Sequence, residues 1–191
     1  MDNRFIPKEG GLTYASQLCT LVNRFNDGKL LFGDTHTTLE GKRPFTYGVA
    51  GYPEKHDEAM SPQSDMDALK EKVDLGAGYI VTQMFFDNNK YFDFVEKCRK
   101  AGIDVPIVPG LKPISTLNHM SMLPRTFHID FPDKLVEKLR KCETNADVRK
   151  VGVEWAIGQC EELRKAKVPS LHFYTMNAAA ASEEIMTNLN A

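Results

Sequence analysis

The feature that most constrains this 191-residue chain is the alternation of short strand-like runs with helical patterns. The runs are rich in β-branched and aromatic residues and lack strict alternation, which is typical of strands covered on both faces. They comprise residues 45–51, 79–86, 105–108 and 171–174. Because strands that alternate with helices form parallel sheets, the pattern predicts an α/β fold built from βα units.

Helical patterns and two loops fill the intervals between these runs. Helices are predicted after Thr13, Ser61, Asn88 and Pro132, and from about Asn145 to Leu163. Residues 27–44 hold three glycines and a proline, so we expect a long loop there. Residues 115–132 are weakly helical at best and are predicted to form a mobile loop over a site.

The number of strands limits the architecture. A complete (β/α)₈ barrel takes about 250 residues, or roughly 30 for each βα unit. The four runs found here do not suffice to close an eight-stranded barrel. We therefore expect residues 1–191 to form a single domain that corresponds to part of such a barrel.

Composition excludes several classes of protein. A formal charge of −2 gives no reason to expect nucleic acid or an anionic membrane as a partner. No apolar run approaches the roughly 20 residues that span a bilayer, and residues 1–8 do not resemble a secretory signal. The cysteines are far apart and lack metal-ligand spacing, which favours reduced thiols and a cytoplasmic protein; they are Cys19, Cys98, Cys142 and Cys160.

The carboxyl ends of the strands are the expected place for a ligand, because parallel α/β folds bind ligands there. The residues at these ends are Tyr52, Pro53, Glu54 and His56, then Gln83, Phe85 and Asp87, then Pro109, Gly110 and Lys112, and finally Tyr174, Thr175 and Asn177. The set has no nucleophile elbow, no Cys/His pair and no glycine-rich phosphate loop. It therefore favours a binding face whose chemistry is delegated to a cofactor.

Four polar residues are candidates for contacts with such a ligand. Gln83 ends an apolar strand and could form two hydrogen bonds with a flat heterocycle, although neighbouring backbone could satisfy it equally well. Asp65 and Lys72 share one face of the helix that begins near Ser61, where surface ion pairing is the commoner explanation. His56 could donate to a phosphate, but a lone histidine in a loop is usually only solvated.

Five motifs follow one another along the chain between Tyr14 and Asn177. They are Tyr14-Ala15-Ser16, Gly48 to Glu54 with His56, Lys70 to Asp87 with its Thr82-Gln83-Met84-Phe85-Phe86 core, Pro109-Gly110-x-x-Pro113-Ile114, and His172 to Asn177. In order and spacing they resemble the methylenetetrahydrofolate reductase family. One such motif would be weak evidence, whereas five in a collinear order are specific.

The resemblance implies a (β/α)₈ barrel with FAD at the carboxyl ends of its strands. It also implies that a reduced nicotinamide donates hydride to the flavin, which then reduces methylenetetrahydrofolate to methyltetrahydrofolate. Gln83 would be the catalytic residue, contacting the substrate pterin near the flavin ring. The residues that would line the FAD are Tyr14, Ala15, Tyr52, His56, Asp65 and Lys72.

The sequence also departs from the family pattern. The first four strands of the family have no counterpart, and with them go a glutamate that resembles the general acid and an Arg-Gly-Asp stretch near the flavin. Met84 stands where an aromatic residue is common, and Ala68 and Ala178 stand where relatives often have Asn and Arg. An ungapped count puts Leu123 at the position of an aromatic that stacks on nicotinamide in some relatives.

These departures leave three interpretations. In the first, the chain is the C-terminal half of a reductase that acts on a folate with a nicotinamide donor, and it is inactive alone. In the second, it is a non-catalytic half-barrel that binds FAD or folate and pairs with a second copy or a partner half-barrel, because open sheet edges favour association. In the third, it is an unrelated α/β domain of four or five strands.

Overall fold

The computed structural model describes residues 6–29, 43–176 and 179–190. Within them the chain forms seven helices and five strands. The helices are α1 (Ala15–Asn26), α2 (Pro62–Asp74), α3 (Asn88–Lys100), α4 (His119–Phe127), α5 (Asp133–Leu139), α6 (Asn145–Lys165) and α7 (Ala180–Leu189). The strands are β1 (Gly48–Gly51), β2 (Tyr79–Thr82), β3 (Ile107–Val108), β4 (Gly110–Leu111) and β5 (His172–Phe173). None of these helices has the length and apolar character that crossing a bilayer requires.

The strand pairs formed by the described residues are parallel and follow chain order. β1, β2 and β3 form one sheet, in which Ile80 of β2 pairs with Ile107 of β3. β4 pairs with β5 through Gly110 and His172, and only Pro109 separates β3 from β4. The segment from Ile107 to Leu111 therefore links two small sheets into one succession of parallel βα units. The predicted α/β class is confirmed, although the strands are shorter than the apolar runs.

The beginning and end of α2 agree with the local sequence signals. Ser61 caps the helix, since its side chain accepts a hydrogen bond from the Ser64 amide at 3.0 Å. Pro62 occupies the first helical position, where its missing N–H removes no helical bond. Gly76 follows the helix with φ of 109°, a conformation that residues with a Cβ rarely adopt.

Two other predictions were wrong in detail. The N-cap of α1 is Tyr14 and not Thr13, whose amide instead donates to Gln17 Oε1 at 2.7 Å. Asp87 caps α3, because its carboxylate accepts from the Asn89 amide, and Asn88 is the first helical residue. Each correction shifts the cap by one residue, which is the usual uncertainty of sequence-based helix ends.

The predicted loop over residues 115–132 contains helix α4, so the loop prediction was wrong for His119–Phe127. Pro124 weakens the helical signal in the sequence, yet Leu123 is fully buried and Ile129 nearly so. Packing against α5 and α6 therefore stabilises a helix that local propensity disfavours. The predicted loop 27–44 lies mostly outside the described residues, since residues 30–42 are not among them.

Two apolar clusters form the core. The first packs the sheet against α2, α3, α6 and α7, and its members include Val49, Leu69, Ile80, Phe94, Ile107, Leu111, Leu163 and Ile185. The second packs the segments that follow β2 and β4 against α4, α5 and the start of α6, and its members include Met84, Phe86, Ile114, Leu123, Leu135, Leu139 and Val148. Gly152 permits the contact with α6, because a Cβ there would lie 1.9 Å from the Ile114 carbonyl oxygen.

Buried hydrogen bonds attach the segment after β2 to α6. Gln159 Nε2 donates to the Phe85 carbonyl at 3.2 Å and to Asn88 Oδ1 at 3.1 Å. Trp155 Nε1 donates to the Phe86 carbonyl at 2.9 Å. These bonds satisfy backbone carbonyls that no strand partner reaches, and they fix the end of β2, where Gln83 lies.

Candidate functional site

A groove of about 900 Å³ runs along β1 between α1 and α2 and extends past the carboxyl end of the strand. Its size lies within the range of small-molecule and cofactor sites, roughly 300–1,000 Å³. All six residues predicted to bind a cofactor line it, although they come from three separate elements: Tyr14, Ala15, Tyr52, His56, Asp65 and Lys72. The structure thus brings together residues that are up to 58 positions apart in the chain, from Tyr14 to Lys72.

Helix α1 forms the apolar wall of the groove. Tyr14, Leu18 and Val22 recur every fourth residue and all line it. Tyr14 is 68% exposed and Leu18 is 52% exposed, so this stripe is not covered by other described residues. The sequence pattern marks Leu18 and Val22 as the apolar face of a helix, but it does not distinguish a core face from a groove wall.

The loop between β1 and α2 contributes an aromatic and an imidazole ring. The rings of Tyr52 and His56 meet edge to face with centroids 4.5 Å apart. The backbone amide of His56 donates to Asp65 Oδ2 at 2.9 Å, and His56 Nδ1 accepts from the Glu58 amide at 3.1 Å. Because Nδ1 is an acceptor, neutral His56 carries its proton on Nε2 and can donate it to a ligand.

Lys55 holds the turn that presents His56. Its backbone is left-handed, with φ of 78°, which is an unusual conformation for a residue with a long side chain. Its Nζ donates to the carbonyls of His56 and Ala59 at 2.7 Å and of Asp57 at 3.2 Å. Three hydrogen bonds from one ammonium group therefore stabilise a strained turn next to the groove.

Lys72 provides the cation of the α2 wall. Its Nζ donates to the Ala50 carbonyl at 3.1 Å, and burial lowers its pKa, an effect that the nearby Asp65 carboxylate partly opposes. Burial, together with the charges of Asp65 and Glu58, raises the pKa of Tyr52, which keeps its phenol neutral. Among the described residues Asp65 and Lys72 form no salt bridge with each other, so the surface ion-pair explanation does not hold for them.

Gln83 lies outside this groove lining. It is half-buried after β2, where its amide donates to the Gly51 carbonyl at 2.8 Å and its Oε1 accepts from the Met84 amide at 2.9 Å. Neighbouring backbone therefore satisfies the carbonyl part of the side chain, as the alternative interpretation expected. The Nε2 group has no hydrogen-bond partner among the described residues and remains available as a donor.

Two further charged residues at strand ends are buried. Lys112, just after β4, is 6% exposed, and burial lowers its pKa without an ion-pair partner in the described part of the chain. Glu54, just after β1, has a nearly buried carboxyl group whose pKa burial raises to about 7. Sequence position marked both as strand-end residues, but their burial depends on elements distant in sequence. Asn177 and Ala178, also considered in the sequence, lie outside the described residues.

The groove lining combines apolar, aromatic and a few charged side chains. Within residues 6–29, 43–176 and 179–190, no three His, Cys, Asp or Glu side chains are grouped as metal ligands. The four cysteines are free thiols, and three of them are buried. Apolar and aromatic walls, one ammonium group and one imidazole donor instead suit a flat organic molecule with an anionic group.

Parallel βα units with a groove beside β1 define an α/β protein with a candidate small-molecule site. Comparison with known proteins specifies the class further, since the family model "Methylenetetrahydrofolate reductase" matches residues 1–190. The chain belongs to the methylenetetrahydrofolate reductase family.

Individual relatives agree with this assignment. The 5,10-methylenetetrahydrofolate reductase of Escherichia coli is 37% identical over 157 residues, which cover 82% of this chain and 53% of the relative. Methylenetetrahydrofolate reductase 2 of Saccharomyces cerevisiae is 34% identical over 188 residues, covering 96% of this chain and 29% of the relative. The chain therefore spans about half the length of the bacterial relative and less than a third of the yeast one.

A solved structure has a similar fold. It is an uncharacterized protein from Clostridium thermocellum that binds two copies of 5-methyl-5,6,7,8-tetrahydrofolic acid. It superposes with a TM-score of 0.60 at 17% identity, over 99% of this chain and 65% of the other. At this identity the likeness concerns the fold, and it supports the expectation of barrel-type βα units.

Proposed function

We propose that the chain acts in the FAD-dependent reduction of 5,10-methylenetetrahydrofolate to 5-methyltetrahydrofolate, with a reduced nicotinamide as the hydride donor. The observation that carries the proposal is the convergence on one groove of the six residues that the family resemblance assigns to the cofactor, from α1, the β1–α2 loop and α2. Membership of the reductase family supports it. Neither relative described above is named as a non-catalytic module, so nothing here favours that alternative.

The groove suits FAD in size and in chemistry. The faces of Tyr14 and Tyr52 and the side chain of Leu18 offer apolar contact to flat rings. Lys72 and His56 offer a charged and a neutral donor to anionic oxygens such as those of a pyrophosphate. When bound, FAD would supply the capacity to accept a hydride from one substrate and donate it to another.

The residues of the chain would bind, orient and exclude water. Lys72 is half-buried, so its charge acts through a medium of lower dielectric constant than water and attracts an anion more strongly. His56 would donate through Nε2, since Nδ1 is occupied by the Glu58 amide. Gln83 would donate its unoccupied Nε2 to an acceptor on the folate ring, while the Met84 amide holds its Oε1 in place.

We further propose a folate and a nicotinamide as substrates and a second sheet as structural partner. In the described residues, β1 and β5 each pair on one side only, and parallel strands with unpaired edges tend to associate. The occupant would be another part of a longer barrel or a second copy. Four free thiols support a reducing compartment such as the cytoplasm.

Flavin binding is the experiment that tests the proposal. The purified chain is mixed with excess FAD and desalted, and its visible absorbance spectrum is recorded. We expect retained flavin for the wild type and about tenfold weaker binding for Lys72→Met. Lys70→Met is the matched control, because Lys70 lies on the same helix but pairs with Asp74 and does not line the groove.

Two results would contradict the proposal. A colourless wild-type chain would show that these groove residues do not hold FAD by themselves. Equal loss of binding in Lys72→Met and Lys70→Met would show that net charge, and not the groove, attracts the flavin.

A further inference from the structure

The carboxyl group of Glu54 connects two parts of the molecule that are far apart in sequence. Its side chain is 8% exposed, and Oε2 accepts a hydrogen bond from the Asp130 amide at 3.0 Å. Lys90 Nζ on α3 lies 3.7 Å from the same carboxylate and 3.6 Å from Asp130 Oδ2. Glu54 therefore attaches the β1–α2 loop both to α3 and to the connection between α4 and α5.

A second, exposed contact joins the same two segments. His128 Nδ1 lies 3.4 Å from Asp57 Oδ1, and both side chains are more than half exposed. His128 ends α4 in a left-handed conformation with φ of 52°. The β1–α2 loop thus meets the α4–α5 connection at a buried point and at an exposed one, and the buried contact is the more strongly shielded from water.

The opposite side of the β1–α2 loop faces the groove. Tyr52 and His56, which precede and follow Glu54 by two residues, both line it. We propose that Glu54 is a positioning residue of the groove, holding the loop so that Tyr52 and His56 face a bound ligand. This inference rests on the proposed flavin site and assigns it a support outside the groove.

The contacts of the Glu54 carboxyl group with Asp130 and Lys90 depend on pH. Burial, with a smaller contribution from the Asp130 carboxylate, raises the pKa of Glu54 to about 7 against the opposing effects of the Asp130 amide and the Lys90 ammonium group. Among the described residues, Asp130 and Lys90 are the charged groups that face Glu54 from the neighbouring elements. Near neutral pH the carboxyl group thus changes between a neutral acceptor and an anion paired with Lys90.

Two substitutions separate the acceptor from the charge. Glu54→Gln keeps a carbonyl acceptor for the Asp130 amide, whereas Glu54→Leu keeps the approximate volume and removes the acceptor. We expect Glu54→Leu to weaken FAD binding by the intact chain about tenfold, and Glu54→Gln to change it less than about threefold. The pH dependence of FAD affinity between about pH 5.5 and 8.5 should flatten in Glu54→Gln. Asp57→Asn is the control, because it removes only the exposed contact.

A second measurement tests the hydrogen bond between Glu54 and the Asp130 amide without any ligand. Hydrogen exchange of the Asp130 amide should be slow in the wild type and in Glu54→Gln and faster in Glu54→Leu, with the melting transition retained. Unchanged exchange in Glu54→Leu would overturn the inference, and so would wild-type FAD affinity in a folded Glu54→Leu chain. If the wild type binds no FAD, the proposed function fails by itself. Hydrogen exchange of the Asp130 amide and the NMR resonances of the His56 ring then still decide whether Glu54 positions the loop.

Discussion

Helices α1 and α6 have similar apolar patterns in sequence but different surroundings in the structure. Helix α6 presents Val148, Gly152, Ala156 and Leu163 to the core, and all of them are buried. Helix α1 carries an equally regular stripe through Tyr14, Leu18 and Val22, yet this stripe lines the groove. The same helical periodicity therefore marks a packed face in one region and the wall of an open groove in the other.

Because α6 is packed and α1 is open, we expect substitutions in the two helices to affect different properties of the chain. The α6 side combines apolar contacts with buried hydrogen bonds from Trp155 and Gln159, so its residues should determine whether the chain folds. The α1 side, apart from the buried thiol of Cys19, leaves its apolar stripe facing open space. Its residues should determine what the chain binds, at little cost to stability.

A pair of leucine substitutions gives the largest contrast. Leu163→Ala removes a fully buried side chain and should lower the free energy of unfolding by about 2–5 kcal/mol. Leu18→Ala truncates a side chain that is 52% exposed and should change it by about 0.5 kcal/mol or less. Urea denaturation followed by circular dichroism measures both. Equal losses would show that α1 packs as tightly as α6.

A pair of glycines within α6 sharpens the comparison. A Cβ at Gly152 would lie 1.9 Å from the Ile114 carbonyl oxygen, so Gly152→Ala should destabilise the fold by about 1–3 kcal/mol. A Cβ at Gly158 meets no atom within 4 Å, so Gly158→Ala should stabilise it by about 0.5–1 kcal/mol through helix propensity. Thermal melts of the two variants should shift in opposite directions. A shared direction would mean that α6 does not approach Ile114 closely.

The buried amide of Gln159 tests the polar part of the packed side. Gln159→Leu leaves the Phe85 carbonyl and Asn88 Oδ1 without their donor, which should cost about 1–3 kcal/mol. Glu161→Gln, an exposed change two residues away, should alter the unfolding midpoint very little. A neutral Gln159→Leu variant would indicate that water replaces the lost donor.

Thiol reactivity compares the two regions with the smallest expected effect on the protein. Burial raises the pKa of Cys98 to about 11 and of Cys160 to about 12, so neither thiol should react with a disulfide reagent at about pH 8 in the folded chain. Cys142 is partly exposed and should react first, and Cys19, which lines the groove, should react second. We expect excess FAD to slow Cys19 only, which mass spectrometry of the labelled peptides would show. Protection of Cys142 instead would place the ligand elsewhere.

Local signals in the sequence predicted a large part of the fold. The cap at Ser61, the stop at Gly76 and the strand predicted at residues 79–86 depend on neighbouring residues; the structure contains the first two and forms the strand over Tyr79–Thr82. Strand ends and helix periodicity indicated Tyr52, His56, Asp65 and Lys72 as candidates, whereas Tyr14, Ala15 and the identity of the ligand followed only from the family resemblance. Their roles toward a ligand remain predictions, although their convergence on one groove is structural.

Other features could not be predicted because they depend on contacts between distant segments. Helix α4 contains Pro124 and forms because Leu123 is buried against other helices. Helix α7 was not predicted, and its Ile185 is fully buried in the first core cluster. The burial of Lys112 likewise requires the elements that surround β4, which no local pattern reveals.

The sequence by itself determined the order of strands and helices and several of their ends, since periodicity, caps and glycines act over a few residues. Only the tertiary structure decided which apolar faces are buried, because burial requires a partner element: α6 has one along Leu163, and α1 has none over Leu18 among the described residues. It also decided the ionisation of Glu54, whose buried carboxyl group accepts a hydrogen bond from Asp130, 76 residues away. Electrostatics and packing act through space, so a linear pattern does not contain them.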